Sequence, residues 1–509
     1  MAHLRASTVF AAAVVLCAPL AARAGFRCPA KGGPEWREYR SKHFLVQTDA
    51  SRFKVELLVT RLESMHALEL QALLGEQVEI PGRLRVIAFA DPALFTDLAG
   101  KYQIAGYYKV GALGEPTIVL PIEGIQADPQ TVAHEVAHHL STFLFVRQPA
   151  WFREGLAEFV QTVADVETQM QPATGSHLVR GARDQRGGVG IVPRSMASAL
   201  QEARRVSFKA LFEWDGHDDA QGASYHLYGW LLYHWLWNNR SKDFTAFQQR
   251  LSNGDDPGVA WRASFPDLDP ANAAAAAKVD DAIEGYRRSG RYMSYRVEAK
   301  ADAAFQDAGP IASADVHMLV HEAARSWTEK EQLANLDEAL AEDDSQPVAI
   351  VGRALVEKSS PLARLRKAVT IRPDDWRAWL LLGDALGAEP KKQQEVALRK
   401  AVSLNPDSAR AQNSLAWLLV ETGRPAEALP IANRALDLAP ANPAIIDTLA
   451  VVAGRLGKCG EALVLERRAL AMVPQSSPNA GEFRKRIAEW ESGCGASAVQ
   501  AGGSASPRP

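Results

Sequence analysis

The segment HEVAHHLSTFLFVRQPAWFREGLAEF, residues 134–159, decides how the first half of this chain is interpreted. Its apolar positions predict two helices that are separated by a short break. His134 and His138 are four residues apart, so both imidazoles project from one helix face and can reach one metal ion. Glu135 lies about 100° further round the same helix, which places its carboxylate beside such an ion, where a general base is needed.

A catalytic zinc ion needs a third protein ligand and one open position, where the pKa of a bound water falls to about 7. The second helix offers two candidates for that ligand, Glu154 and Glu158, again four residues apart. His139 follows the motif directly but points to another side of the helix, so we expect it to be structural. The pattern predicts one Zn²⁺ per chain, held by His134, His138 and a glutamate.

These motifs resemble those of the gluzincin zinc peptidases, and most closely a peptidase-MA-like domain of unknown function. The resemblance also covers WREYRSKHF (36–44) and AGYY (105–108), so it spans about residues 36–250. It implies an α+β, thermolysin-like fold for the N-terminal domain, with Glu154 as the third zinc ligand. Glu158 would then orient a histidine ligand through its free ring N–H. Direct ligation of zinc by Glu158 is the alternative.

The resemblance further implies a tyrosine or histidine, roughly 60 to 75 residues past the glutamate, that stabilises the oxyanion of the reaction. The stretch YHLYGWLLYHWL, residues 225–236, lies in that interval. Counted back from Trp230, the family's Tyr-x-x-x-Trp pattern meets His226 here, which is a departure from the family. The candidates for the donor are therefore His226, Tyr225 and, third, Tyr228. The alternative is that all three pack a buried aromatic helix.

Residues 1–24 predict a secretory signal peptide, because Arg5 precedes a short apolar run and small residues precede Gly25. A permanent membrane anchor would need about 20 apolar residues. We therefore expect export to the periplasm or the extracellular space and no stable membrane span. Loss of this segment, with Arg5 and Arg23, would take the formal net charge from −3 to −5, and no basic patch argues for nucleic acid.

Three cysteines would remain after export, in a compartment where disulfides persist: Cys28, Cys459 and Cys494. We predict a disulfide between Cys459 and Cys494 because both lie in the same C-terminal segment. The alternative is three free or buried thiols. Since the chain contains no C-x-x-C pair, we expect no zinc site built on cysteines.

The chain before residue 300 alternates strand-like and helix-like patterns, which predicts one α+β domain over 25–300. The strand-like patterns are short and bounded by turn residues. The helix-like patterns are amphipathic or almost wholly apolar. The predicted strands are 43–49, 83–91 and 117–121, the predicted helices are 50–75, 127–145, 149–164 and 223–237, and 173–190 is predicted to be a loop or irregular hairpin.

After about residue 310 the sequence pattern becomes that of helical hairpins, and prolines recur at a regular interval. Four prolines recur at intervals of 33, 34 and 34 residues, namely Pro373, Pro406, Pro440 and Pro474. This is the period of tetratricopeptide repeats, in which small residues let paired helices approach closely. We predict a helical connector over 310–341, an all-α repeat solenoid with a capping helix over 342–492, and a disordered tail over 493–509.

Together these patterns predict an exported zinc metallopeptidase, a hydrolase in which Glu135 deprotonates a zinc-bound water that attacks a peptide carbonyl. AGYY and TIVLP are expected to form the strand edge against which an extended substrate pairs. The repeats are expected to recruit a protein partner. One alternative is a scaffold or binding protein whose metal site is structural or vestigial. Another is a zinc amidase that acts on a non-peptide amide, such as a cell-wall crosslink.

Overall fold

The computed structural model describes residues 26–76, 78–100, 105–123, 128–165, 183–197, 199–216, 222–387, 389–474 and 476–502. The predicted signal peptide, 1–24, lies outside these residues. Two regions follow one another along the chain. The first combines strands and helices, and the second consists of helices alone.

The first region contains eight described strands, most of them four to seven residues long. They are β1 (Arg37–Arg40), β2 (Phe44–Thr48), β3 (Leu84–Phe89), β4 (Tyr107–Val110), β5 (Pro116–Pro121), β6 (Arg183–Val189), β7 (Tyr295–Ala301) and β8 (Gln306–Pro310). Six of them form one sheet in the order β4-β5-β3-β2-β1-β8, and β6 pairs with β7 separately. Strands β2, β3 and β5 run parallel, whereas β4, β1 and β8 each pair antiparallel to a neighbour. Strand β4 is therefore an edge of the main sheet.

Helices cover both faces of this sheet. They are α1 (Arg52–Leu74), α2 (Pro92–Ala99), α3 (Pro129–Leu144), α4 (Ala150–Val160), α5 (Ala199–Glu202), α6 (Phe208–Phe212), α7 (Gly222–Asn239), α8 (Ser241–Ser252), α9 (Pro257–Ser264), α10 (Ala273–Ser289) and α11 (Ser313–Ala323), with short 3₁₀ turns at Pro29–Lys31, Gln161–Asp165 and Arg194–Met196. One face packs on α1 and α3, with α4 and α7 in the same hydrophobic core, and the other face packs on α2 and α11.

The start of α3 shows why its sequence forms a helix there. Asp128 caps the helix by accepting a hydrogen bond from the backbone N–H of Gln130 at 3.2 Å, and Pro129 occupies the first turn. Helix α7 is buried on most sides, as its almost uniformly apolar sequence predicts. No helix among the described residues is long and apolar enough to cross a membrane.

The α+β region extends beyond residue 300, where its predicted domain ends. Strand β8, Gln306–Pro310, pairs with β1 and completes the main sheet, and α11 packs beneath it. The sequence QDAGP of β8 has no alternation of apolar residues and stays mostly exposed, so no strand was predicted there. The predicted irregular segment 173–190 contains β6 from Arg183 onward, and residues 173–182 lie outside the described part of the chain.

The second region confirms the predicted all-α repeats, because successive helices pack as antiparallel hairpins. Its helices are α12 (Glu329–Glu342), α13 (Pro347–Glu357), α14 (Leu362–Ile371), α15 (Trp376–Ala385), α16 (Lys391–Leu404), α17 (Ala409–Glu421), α18 (Pro425–Leu438), α19 (Pro443–Arg455), α20 (Cys459–Ala471) and α21 (Pro478–Gly502). The repeated alanines Ala428, Ala435, Ala462 and Ala469 are fully buried, which allows close helix packing.

The C-terminus differs from the prediction of a disordered tail after residue 492. Helix α21 continues to Gly502, because this alanine-containing segment has no proline before Pro507. Residues 503–509 lie outside the described part of the chain. Cys459 is disulfide-bonded and Cys28 is a free, buried thiol. The side chain of Cys494, the predicted partner of Cys459, is not among those described.

Candidate metal centre

Helices α3 and α4 bring three predicted ligands to one point. The Nε2 atom of His134 lies 3.4 Å from Oε2 of Glu154, and the Nε2 atom of His138 lies 3.3 Å from the same oxygen. Two ligands on a tetrahedral zinc ion, each bonded at about 2.0–2.1 Å, are separated by roughly 3.3–3.4 Å. Two of the three pairs therefore have the spacing that such an ion requires, and the ligand atoms of all three residues lie within 4.8 Å of one another.

The electrostatics of these groups also fit a bound cation. Burial alone would lower the pKa of His134, but its hydrogen bond to Glu154 and the charges of nearby carboxylates raise it to about 9. Burial would raise the pKa of Glu154, yet the charge of His138 and hydrogen bonds from both histidines hold it well below its usual range. A buried carboxylate thus faces two imidazoles, and either a protonated imidazole or a bound cation would compensate its charge. Two imidazoles and a carboxylate are a donor set that suits zinc.

The two glutamates of α4 occupy different positions around His134. Glu154 lies at the Nε2 side of the ring, whereas Oε1 of Glu158 lies 3.9 Å from Nδ1 on the opposite side. Arg153 Nε donates a hydrogen bond to Oε1 of Glu154 at 2.9 Å, and Gln161 donates to Oε2 of Glu158. Glu154 is thus the glutamate that faces both Nε2 atoms, whereas Glu158 lies near Nδ1 of His134 without a hydrogen bond to it.

Glu135, the predicted general base, is buried on α3 next to the same cluster. Its negative charge contributes to the raised pKa of His134. It also acts on Tyr108 of the edge strand β4, where burial first and the charge of Glu135 second raise the pKa of the phenol. Glu135 is therefore close to both the three converging side chains and the edge of the sheet. His139 packs against the rings of Tyr108 and Phe143, and burial lowers its pKa to about 3, so it is neutral.

The three candidate donors on α7 have different surroundings. His226 joins the cluster, because its Nδ1 lies 3.8 Å from Oε2 of Glu154 and 3.6 Å from Oε1 of Glu158. Tyr225 stacks its ring on Trp214 at a centroid distance of 5.1 Å. Tyr228 is buried and donates its hydroxyl hydrogen to Glu284. Of the three, the structure brings His226 to the cluster.

A pair of glycines explains how α7 comes close enough for His226 to reach Glu154. A Cβ atom on Gly155 would lie 2.5 Å from the carbonyl oxygen of Gly229, which is shorter than atoms of this kind can approach. The glycine after Glu154 therefore allows α4 and α7 to pack backbone against backbone. The sequence motif contains this glycine, but its structural reason becomes visible only when α7 is in place.

Comparisons with known proteins found similar solved structures that each cover about a third of this chain. No family model and no curated protein matches this chain. The chain is 17% identical to MamA over 31% of its length and 91% of that chain, with a TM-score of 0.25. It is 23% identical to TTC0263, a thermophilic TPR protein of Thermus thermophilus, over 32% of its length and 89% of that chain, with a TM-score of 0.26.

A further similar structure is YrrB, described as a TPR protein with an unusual peptide-binding site. It is 22% identical over 32% of this chain and 84% of its own, with a TM-score of 0.25. TPR proteins are thus among the structures that this chain is similar to. The repeat region itself is established by the helical hairpins described above and not by these low scores.

Two residues around the centre were missed by the sequence reasoning. Arg153 and Gln161 each hold one oxygen of a site carboxylate by a hydrogen bond. Gln161 could have been found, because it lies three residues after Glu158 and so next to it on a continuing helical turn. Arg153 offers no such signal, since its position next to Glu154 normally directs a side chain to another helix face.

Proposed function

We propose that this chain is a zinc-dependent metallopeptidase of the gluzincin type, with Glu135 as general base. The observation that carries the proposal is the approach of His134 Nε2 and His138 Nε2 to one oxygen of Glu154, at 3.4 and 3.3 Å. This spacing agrees with tetrahedral zinc coordination. A purely structural metal site would have no use for an acid next to the ligands, so Glu135 favours a hydrolytic role.

In this proposal, each residue of the site has its own role in the reaction. A zinc ion held by His134, His138 and Glu154 would polarise a water molecule and the substrate carbonyl. Glu135 accepts the proton of the attacking water and passes it to the leaving amine. His226 donates a hydrogen bond to the oxygen that becomes negatively charged.

The substrate would bind as an extended peptide along β4. This strand is an edge of the main sheet, so its outer backbone groups can pair with another strand. Two of its side chains attach it to the end of α11. Lys109 Nζ donates to the carbonyl oxygen of Glu322 at 2.6 Å, and the Tyr107 hydroxyl donates to that of Ala323. A strand fixed in this way presents a rigid edge to a peptide.

The test separates metal binding from catalysis. Glu135→Gln should retain one zinc ion at the site but reduce cleavage of casein or a peptide library about 10²–10⁴-fold, because only the base is lost. His138→Ala should lose both the zinc and the activity. Glu357→Gln, an exposed side chain at the end of α13, is a matched control and should behave like the wild type. A wild-type protein purified without chelator and free of zinc would overturn the proposal.

A second candidate function is a scaffold that binds a protein partner, and the helical hairpins favour it, since such repeats offer concave peptide-binding surfaces. A scaffold with a vestigial site would bind zinc at His134, His138 and Glu154 but cleave no amide. A zinc amidase would cleave cell-wall crosslinks but not peptides. Crosslinking in cells, with and without residues 342–492, would show whether a partner depends on the repeats.

Export is part of the same proposal and rests on the signal-peptide pattern over 1–24. N-terminal sequencing of protein recovered from the periplasm or the medium should begin at Gly25. Recovery of the chain in the cytoplasm with Met1 intact would contradict it.

A further inference from the structure

The N-terminal segment meets α11 and α12 at a second group of potential metal ligands. Cys28, His317 and Glu342 each offer one ligand atom, and these atoms lie within 4.8 Å of one another. Cys28 Sγ donates to Oε1 of Glu342 at 2.7 Å, and His317 Nε2 lies 3.4 Å from the same oxygen. Cys28 and His317 are each only 1% exposed. We propose that these three residues bind a second zinc ion, whose fourth ligand would be a water molecule.

The hydrogen bonds of His317 show that its Nε2 atom is available as a ligand. Asn335 Nδ2 donates to the backbone carbonyl of His317 at 2.9 Å, which identifies Oδ1 of the same amide as an acceptor. His317 Nδ1 lies 2.7 Å from this Oδ1 and so carries the ring hydrogen. Its Nε2 lone pair then faces a carboxylate oxygen of Glu342. A histidine whose other nitrogen is held by an amide or carboxylate oxygen is typical of metal sites.

The carboxylate of Glu342 supplies an independent sign that this group suits a cation. Its Oε2 atom is buried and has no hydrogen-bond partner among the described residues. A buried carboxylate oxygen without a partner is costly. A cation bound by Glu342, His317 and Cys28 would compensate the negative charge of this carboxylate. It would also accept the lone pair of His317 Nε2.

The donor types select the metal. A thiolate, an imidazole and one carboxylate suit zinc, whereas magnesium and calcium prefer oxygen ligands alone. Zinc would displace the thiol hydrogen that Cys28 now donates to Glu342. The expectation of no cysteine zinc site rested on the absence of C-x-x-C. It does not cover this group, because positions 28, 317 and 342 come together only in the folded chain.

The position of the site indicates a structural role. It joins the start of the mature chain to α11 and α12, which link the α+β region to the repeats. Two further contacts run alongside: Ala30 N donates to Ser313 Oγ at 3.1 Å, and Lys31 pairs with Glu338 at 2.9 Å. The ring of Phe26 covers the His317 imidazole edge-on at 5.2 Å. A zinc ion here would clamp an otherwise short N-terminal turn onto two helices.

Cobalt distinguishes this site from the first one, because only a thiolate ligand gives an intense sulfur-to-cobalt charge-transfer band in the near ultraviolet. The His134, His138 and Glu154 site contains no sulfur. We expect the full chain, with the disulfide of Cys459 left intact, to bind two Co²⁺ ions, and the band should saturate at one Co²⁺ per chain. Cys28→Ser should remove the band and one of the two ions. His138→Ala should remove one ion and leave the band intact.

Two results with cobalt would overturn the proposal. A wild-type chain that binds cobalt without the band, or a band that persists in Cys28→Ser, would exclude Cys28 as a ligand. If Cys28→Ser does not fold, Glu342→Gln tests the site instead. This substitution keeps the thiol of Cys28 and replaces the carboxylate by an amide of the same shape that can still form hydrogen bonds. It should weaken cobalt affinity at the band-forming site by more than tenfold. An unchanged affinity would contradict a role for Glu342.

Discussion

His226 is the residue whose role the candidate metal centre makes most open to experiment. Its Nδ1 atom lies 3.8 Å from the Glu154 oxygen that both histidines approach, so the ring borders the place where a substrate carbonyl would sit. His226→Ala should lower kcat about 10²–10³-fold, the usual effect of losing one oxyanion donor. Zinc content should stay unchanged and KM should change little. Steady-state kinetics with elemental analysis would measure all three.

The matched variant for His226 is Tyr225→Phe, on the neighbouring residue of α7. Tyr225 stacks on Trp214, and removal of its hydroxyl should change kcat less than tenfold, because the stacking is retained. If Tyr225→Phe lowered kcat as much as His226→Ala, the assignment of the donor would be wrong. Equal kcat for the wild type and His226→Ala would mean that the imidazole merely packs.

At the residue scale, the shared orientation of His134 and His138 was predictable, because i, i+4 spacing fixes side chains on one helix face. The choice of Glu154 for the ligand position came from a family resemblance. The surroundings of the three α7 candidates were not predictable, since they depend on how that helix rotates against its neighbours. The grouping of Cys28 with His317 and Glu342 has no local signal at all, as its members lie far apart in the sequence.

At the scale of elements, Gly155 controls the distance between α4 and α7. Gly155→Ala would place a Cβ atom 2.5 Å from the carbonyl oxygen of Gly229, and a backbone oxygen cannot rotate away. The helices must separate, which should reduce the free energy of unfolding by about 1–3 kcal/mol, as overpacking does. His226 should move from Glu154 at the same time, so kcat should fall although no catalytic side chain is changed.

Gly285, inside α10, is the matched control for Gly155→Ala. A Cβ atom there meets nothing within 4 Å, so Gly285→Ala should be neutral or raise the free energy of unfolding by about 0.4–1 kcal/mol. Urea unfolding of both variants measures the difference. Equal effects of the two substitutions would show that helix propensity, and not the contact with Gly229, governs Gly155.

The elements themselves were predicted well where periodicity is strong. The predicted helix over 127–145 is α3, Pro129–Leu144, and the predicted strand over 117–121 is β5, Pro116–Pro121. Strand β8 was not predicted, because an exposed edge strand without apolar alternation leaves no pattern. Sheet order could not be predicted either, since pairing between β1 and β8 joins residues that are distant in the sequence.

For the whole molecule, the repeats contact the end of the proposed substrate strand. The turn between β4 and β5 packs Leu113 into the hydrophobic core of the repeats. Arg410 Nη1 donates to the carbonyl oxygen of Ala112 at 2.8 Å, and Arg377 Nη2 lies 3.2 Å from Oε1 of Glu115. A partner that bends the repeats would therefore pull on this hairpin. The two regions are thus mechanically connected through the edge of the sheet.

Glu115 makes that connection sensitive to pH. Burial alone would raise its pKa, but the positive charges of Arg377 and Arg85 outweigh burial and lower it. Because the pKa is lower in the folded chain, the carboxylate stabilises the fold above its unfolded pKa of about 4.3, and this contribution is lost as the pH falls through the folded value. Glu115→Gln should reduce the free energy of unfolding by about 1–3 kcal/mol at pH 7.

The difference in unfolding free energy between wild type and Glu115→Gln should begin to shrink as the pH falls below about 4.3, where the carboxyl group of the unfolded wild type takes up a proton, and it should vanish below the lower pKa of the folded chain. Urea unfolding at pH 7, 5 and 3.5 would measure it. Glu123→Gln is the control, since its ion pair with Lys54 at 2.7 Å is exposed and should be worth less than about 1 kcal/mol. If the difference in unfolding free energy between wild type and Glu115→Gln stays constant down to pH 3.5, the packing of the Glu115 side chain, and not its charge, holds the repeats to the hairpin. A difference that disappears would identify the Glu115 charge as the attachment between the repeats and the strand that carries the substrate in our proposal.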